Sequence, residues 1–449
     1  MNVLFLAYYF PPDSSSGSFR PFFFANHLAE SGVGVHVLTA KVEDFLPEQS
    51  LDPSLSDKLN QAVEVTRCSV WRPREALISL RNRFSGTTDS GSQNKVPGTS
   101  SAGSSSASLW QNCKDTITDL LATPDPHVGW IYDCVKRGKA LIAAKRPDVI
   151  YATASPWSGL LAGMLLKKAT GVPLILDFRD PWASNPNFSR RGRFARSIDV
   201  RLEKMVIEAA DGIIANTPTL KDDFLTKYPK LDKNRVISIT NGFEEYIETS
   251  PRRLDQPLTI THTGALYFSR NPVPLLKAVK LVIEQGLIAS NEFRLQFIGG
   301  IDAQDAKVSD LLADEVVRQV ATIVPRVSYD ESQRYACEAD VLLLVQPDFP
   351  LQIPRKLYEY MAVRKPMLCI AEPASATGVL VRDNRLGAIC HNTVAEIEAA
   401  LREIITAWKD GSFQTFSDDR CDKFRNCDLT AQLLDLMAKV TNQKAVAHS

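Results

Sequence analysis

The 449-residue sequence is poor in sulfur and imidazole, with eight cysteines, six methionines and six histidines. The cysteines stand at 68, 113, 134, 337, 369, 390, 421 and 427, and no two form a CxxC pair. That spacing excludes a zinc ribbon and a disulfide scaffold and suits single thiols in a reduced compartment. No run reaches the roughly 20 apolar residues that a membrane span needs. No sign of charge dominates: 52 Lys and Arg face 52 Asp and Glu. A general nucleic-acid binder normally carries a basic excess, so nucleic acid is not an expected partner. GxGxxG is missing, which argues against a Rossmann dinucleotide site. GxxxxGK[ST] is missing too, which argues against an ATPase. No DxD pair marks a metal, so neither metal nor cofactor is expected. The apolar start has no basic residues before it and is interrupted by Tyr8, Tyr9, Pro11, Pro12 and Asp13. That argues against a signal peptide and leads us to expect a cytoplasmic protein.

What is present is an α/β alternation, twice over. Val3 to Ala7 reads as a buried strand, Phe19 to Ser31 as a helix, and Val35 to Thr39 as the next strand. "RPDVIYATAS", "VPLILDFRDPW" and "DGIIANTP" read as further strands separated by helical segments. After a polar stretch at 249–257, "LTITHTGALY" opens a second cycle, followed by "FRLQFIGG", "ADVLLLVQP" and "KPMLCIAEP". Two domains follow, 1–250 and 251–449, each doubly wound, with binding loops at the carboxyl ends of the strands and a cleft between the domains. The last helix could return to the first domain. Residues 85–108 are of low complexity and read as an insert unable to bury enough surface to hold one shape.

The chemistry-bearing candidates sit at strand ends. In the loop after the first strand, Gly17 would let backbone approach a ligand, and Ser14–Ser18 could cradle phosphate or a sugar hydroxyl. An ordinary polar turn explains the same residues. Arg20 could pair with phosphate or face solvent. "DFRDPW" places Asp177, Arg179 and Asp180 after a strand. Asp180 could orient a hydroxyl or a proton transfer, Asp177 could do the same or pair with Arg179, and Trp182 could stack on a sugar or wedge the domains. In the second half, Gly264 permits close backbone approach, and Arg270 could neutralise charge building on a leaving group. In "IPRKLYEYMAVRKPML", Lys356 and Glu359 lie three apart on a helix, suited to a diphosphate and a ribose or to a helix ion pair. Residues 187–204 carry six basic and two acidic residues with Phe188 and Phe194 interleaved. They suit an anionic membrane surface or a solvated helix face.

Taken in order, "YYFPPDSSSGSFRP", "SPWSGLLAGMLLKKATGVPLILDFRDPW", "ITNGFE", "ITHTGALY" and "RKLYEYMAVRKPML" resemble a GT-B glycosyltransferase of the large retaining family 4. The likeness is strongest to bacterial members that build exopolysaccharide or lipopolysaccharide, and it covers nearly the whole chain outside 85–108. The resemblance implies two Rossmann-like domains facing across a cleft, with a nucleotide diphosphate sugar in the C-terminal domain and a glycan or lipid-linked acceptor mostly in the N-terminal one. It implies retention at the anomeric carbon, Arg270 and Lys356 on the departing diphosphate, and Glu359 on the ribose, as the second glutamate of E-x7-E. Gly17 and Gly264 would lie near phosphate. Ser18, Arg20, Asp177, Arg179 and Trp182 would lie at the acceptor side, and Asp180 would orient acceptor or donor hydroxyls. Peripheral binding at the inner face of the cell membrane is compatible with this reading.

The sequence departs from the family pattern in three places. The first glutamate of E-x7-E falls at Leu351, with Gln352 as a stand-in. The customary lysine after Arg270 has no close counterpart, since Lys277 lies farther along. The usual histidine is absent where Asp177–Asp180 stand. These departures keep two other readings open: a nucleotide-sugar epimerase, and a non-catalytic glycan-binding or assembly subunit.

Overall fold

In the computed structural model, residues 1–45, 50–72, 123–186, 192–249, 256–266, 270–301, 305–412 and 419–448 are described. The low-complexity stretch 85–108 and residues 187–191 lie outside them. The chain divides into two compact units. The first comprises Met1–Ala215, Leu225–Ile237 and Leu433–Ser449; the second comprises Asn216–Phe224 and Ser238–Gln432. The division is therefore not one cut in the chain.

The first unit is built on a sheet of strands β1 (Asn2–Leu6), β2 (Gly34–Ala40), β3 (Val63–Cys68), β4 (Val149–Ala154), β5 (Leu174–Phe178), β6 (Gly212–Ala215) and β7 (Val236–Ser238). Their spatial order is β3-β2-β1-β4-β5-β6-β7. β1 pairs in parallel with both β2 and β4, Val3 meeting Val35 on one side and Val149 on the other. Parallel strands covered on both faces need apolar residues at every position rather than alternation. That is why Val3, Leu4, Phe5 and Leu6 are all buried.

Helices α1 (Ser16–Glu30), α2 (Trp130–Lys145), α3 (Ser158–Thr170) and α4 (Arg193–Ala209) flank this sheet in sequence. α1 starts three residues earlier than the apolar pattern alone suggests. The order reverses between β1 and β4, and in open α/β sheets that switch point, at the carboxyl ends of the strands, is where ligands bind.

The second unit repeats the plan with β8 (Leu258–Thr263), β9 (Phe293–Ile298), β10 (Ala321–Val324), β11 (Val341–Val345), β12 (Met367–Ile370) and β13 (Gly387–Cys390), in the order β10-β9-β8-β11-β12-β13. Its switch point lies between β8 and β11, which pair in parallel. Helix α5 (Val273–Glu284) follows the loop after β8, and α6 (Arg355–Val363) follows the loop after β11. Leu258, Ile260, Leu295, Phe297, Leu343 and Leu368 share one core with Leu275 and Val279 of α5. The residues of the chain's final helix, α7 (Asn426–His448), are divided between the two units. In the first unit its Lys439 ammonium donates to the Asn234 carbonyl at 3.2 Å.

Candidate active site

The serine-rich loop after β1 wraps a carboxylate. Asp13 is fully buried and accepts the hydroxyls of Ser15 and Ser18, each at 2.5 Å. The Asp13 carboxylate therefore occupies the place at the start of α1 where an anion would be favoured. The expectation that Ser14–Ser18 cradle a phosphate is corrected, because a second anion would meet that charge. The Ser18 hydroxyl serves Asp13 rather than an acceptor. Gly17 does permit a close approach, but by protein groups. A Cβ there would lie 2.7 Å from Nη1 of Arg179 and 2.7 Å from the ring of Tyr9.

Arg20 and Asp177 are partners of one another. Arg20 Nε and Nη2 donate to the two carboxylate oxygens at 2.7 and 2.9 Å, and neither side chain is more than 4% exposed. Asp177 also accepts the hydroxyls of Tyr151 and Thr153. Burial raises the Tyr151 phenol well above its usual range, and the Asp177 charge pushes it in the same direction. Asp177 lies within β5 and not after it, directly opposite Thr153 of β4. Its place on that face commits it to the interior. The ligand-binding expectation for Arg20 and Asp177 is therefore corrected to a buried bidentate ion pair, and Asp177 pairs with Arg20 rather than Arg179.

Trp182 is corrected as well. It is fully buried, stacks on Trp157 with centroids 6.0 Å apart, and donates its indole N–H to Asp199 of α4 at 3.2 Å. No sugar can reach its face. Arg179 and Asp180 remain accessible beyond the end of β5, as an ion pair at 3.6 Å with side chains 12% and 30% exposed.

Beside them stands a group that the sequence reading missed. Tyr9, three residues past β1, approaches Nε2 of His127 with its hydroxyl at 3.3 Å. His127 is buried just ahead of α2. Its backbone N–H donates to Asp125, which also takes the amide and hydroxyl of Ser158 at the start of α3. Burial is the main reason the imidazole is held below its usual pKa; Asp125 opposes the shift and Arg72 adds to it. Burial pushes the Tyr9 phenol up to about 12 against the pull of Arg179.

The second unit gathers cations at its switch point. Gly264, directly after β8, has φ +93°, and a Cβ there would fall 1.9 Å from the Lys356 ammonium. Only glycine allows both that backbone conformation and that approach. Lys356, in the first turn of α6, is lowered to about 8, chiefly by burial. Arg270 lowers it further, and Glu359 opposes the shift. Glu359 itself pairs with Arg355 at 2.8 Å, one helical turn away.

Beneath this group, His262 of β8 is buried and its Nδ1–H donates to the Leu343 carbonyl at 2.9 Å. Its Nε2 is buried without a hydrogen bond among the described residues. Burial, then the Lys356 charge, push this imidazole well below its usual range. Of the residues around the missing glutamate, the Leu351 carbonyl accepts the Thr217 hydroxyl at 2.8 Å and the Gln352 carbonyl accepts that of Thr377 at 3.0 Å. Among the described residues no group of three His, Cys, Asp or Glu could hold a metal ion, and no helix is long and apolar enough to cross a membrane.

Residues 24–242 match the family described as "Glycosyl transferase 4-like domain". A stretch of 88 residues is 32% identical to the α-maltose-1-phosphate synthase of Mycolicibacterium smegmatis, covering 20% of this chain and 23% of that protein. The chain thus matches under a quarter of the length of this curated relative. Two solved structures match almost end to end. The lipopolysaccharide outer core galactosyltransferase WaaB in its apo form aligns with a TM-score of 0.57 and 13% identity over 98% of this chain and 99% of the other. Anabaena Alr3699/HepE in complex with UDP and glucose aligns with a TM-score of 0.53 and 15% identity over 100% and 99%. At these identities the structural likeness establishes the GT-B fold.

Proposed function

We propose, from the premise that the chain belongs to the GT4-type glycosyltransferases of the GT-B fold, that it moves a sugar from a nucleotide diphosphate sugar to a glycan or lipid-linked acceptor with retention. The observation that carries the proposal is the Lys356 ammonium lying against Gly264, directly after β8 at the β8/β11 switch point. Burial, with the Arg270 charge adding to it, disfavours the Lys356 ammonium, and a bound diphosphate would relieve that cost. As the glycosidic bond breaks, negative charge grows on that diphosphate. Lys356 and Arg270 then stabilise the transition state more than the bound donor, which is the condition for acceleration. Glu359, oriented by Arg355, would take the ribose hydroxyls. The UDP and glucose bound to the Anabaena protein support a donor of this class.

Asp180 and Arg179, accessible beyond β5, would meet the acceptor in the first unit. A phosphate oxygen of the donor could accept the proton of the attacking hydroxyl, so no separate base is needed. Work on a cell-surface, lipid-linked glycan is supported by the likeness to the lipopolysaccharide outer core galactosyltransferase. It is supported also by α4, where Arg193, Phe194, Arg196, Val200, Arg201 and Lys204 are all exposed. Such a basic face with apolar members suits an anionic membrane surface.

The test is a panel of nucleotide sugars, each incubated with the protein with and without a membrane lipid extract. Free nucleoside diphosphate and product mass are read together. One donor should release nucleoside diphosphate in step with a glycosylated lipid or glycan. A sugar isomer formed without acceptor would contradict transfer, and so would folded protein that turns over no donor.

A further inference from the structure

Tyr9 and His127 have no part in the donor chemistry above, and Tyr9 is not a core residue. Tyr9 is partly exposed at the carboxyl end of β1, at the β1/β4 switch point of the first unit. Its ring lies against Gly17, whose missing side chain also admits the Arg179 guanidinium. The phenol is thus one of a row of polar groups, with Arg179 and Asp180, at the end of the sheet where ligands bind. Behind it, His127 is 6% exposed and reaches the Tyr9 hydroxyl through Nε2. Its Nδ1 is buried with no hydrogen bond among the described residues. A buried imidazole left half-satisfied costs free energy in the folded protein. Asp125 fixes the turn that holds it, through the His127 amide and the start of α3.

We propose that Tyr9 binds the attacking hydroxyl of the acceptor sugar and that His127 is the residue that positions it. A neutral imidazole has one donor and one acceptor nitrogen. Nε2 can therefore accept the phenol proton and turn the Tyr9 oxygen lone pairs toward an incoming hydroxyl, or donate to that oxygen and leave its proton for the acceptor oxygen. In either state the phenol stays fixed beside Arg179. The ligand class is a polyhydroxylated acceptor, with one hydroxyl placed between Tyr9 and the Arg179–Asp180 pair. The inference deepens the transferase reading and rests on it.

The experiment compares the unaltered chain with Tyr9→Phe, His127→Ala and His127→Gln. For each it measures transfer to the membrane lipid extract and, separately, the affinity for the nucleoside diphosphate of the donor that turns over. Loss of one hydrogen bond to the acceptor predicts transfer efficiency down by about tenfold in Tyr9→Phe and in His127→Ala. Nucleoside diphosphate affinity should stay within about twofold, and the glutamine amide in His127→Gln should restore most of the transfer. Unimpaired transfer in Tyr9→Phe overturns the inference. Equal loss of transfer and of nucleoside diphosphate affinity also overturns it, because that is the signature of a merely structural role. Absence of donor turnover in the unaltered chain is a different result. It overturns the transferase reading, and this inference with it.

Discussion

Replacing Lys356 with methionine lowers sugar transfer by about 10²–10³-fold, the cost of removing one preorganised donor from a developing charge. The substitution keeps the length of the stem and removes only the ammonium. No folding penalty is expected, because burial already holds the Lys356 pKa down to about 8 and an apolar end suits that site better. The effect should fall mainly on kcat, since the interaction strengthens as the diphosphate departs. Gly264→Ala reaches the same group from the other side. Its methyl would occupy the ammonium's place and its backbone would be strained at φ +93°. Steady-state kinetics with the donor identified by the panel decides the matter. Unchanged transfer in Lys356→Met would remove that residue from the mechanism.

Asp177→Ala unfolds the first unit at a much lower temperature. The substitution strands the Arg20 guanidinium, 4% exposed, without its carboxylate. Breaking a buried pair by removing one partner costs about 3–5 kcal/mol. For a unit of this size that is a fall in Tm of about 10 °C. The control is Asp180→Ala, half-exposed beyond the same strand, which should lie within about 0.5 kcal/mol of the parent. A double variant, Arg20→Met with Asp177→Leu, should recover only the part due to the stranded guanidinium, because the buried Tyr151 and Thr153 hydroxyls still lose their acceptor. Calorimetric melting of the four proteins tests the set. A small effect of Asp177→Ala would mean that the pair is solvated.

The central parallel strands were legible because they are buried on both faces and apolar throughout, unlike the edge strands Val63–Cys68 and Ala321–Val324. The runs at Val3–Leu6, Leu174–Leu176 and Val341–Val345 carry no other message. Gly264 stands directly after β8, and Lys356 lies in the first turn of α6, beyond the loop that follows β11.

The polar residues of the first unit were harder to read. Asp177 and Asp180 differ by three positions in one motif, yet one lies inside β5 facing Tyr151 and Thr153 while the other lies beyond its end. The end of β5 at Phe178 separates a buried ion pair from an accessible carboxylate, and composition does not set that boundary. Arg20 was ambiguous because its partner is 157 residues away. The serines of the opening loop suggested a phosphate cradle, but Asp13, two residues before Ser15, already supplied the anion. His127 gave little local signal. It reaches Tyr9 across 118 residues, and only the β1–β4 pairing brings the two together. The "DPH" turn ahead of α2, in a chain of six histidines, was the one clue on offer.

The central claim is that Lys356 waits for a diphosphate, and proton-linked binding tests it most directly. The free ammonium titrates near pH 8. A bound diphosphate stabilises the charged form and raises that pKa. Binding is therefore favoured below pH 8 and must take up a proton above it. Titration of UDP and of GDP by calorimetry at pH 7 and pH 9, in buffers of different ionisation enthalpy, measures both quantities. The account predicts that the nucleotide that binds does so about tenfold more weakly at pH 9, with uptake there of close to one proton. It also predicts that both effects vanish in Lys356→Met. Equal affinity at the two pH values with no proton uptake would contradict it.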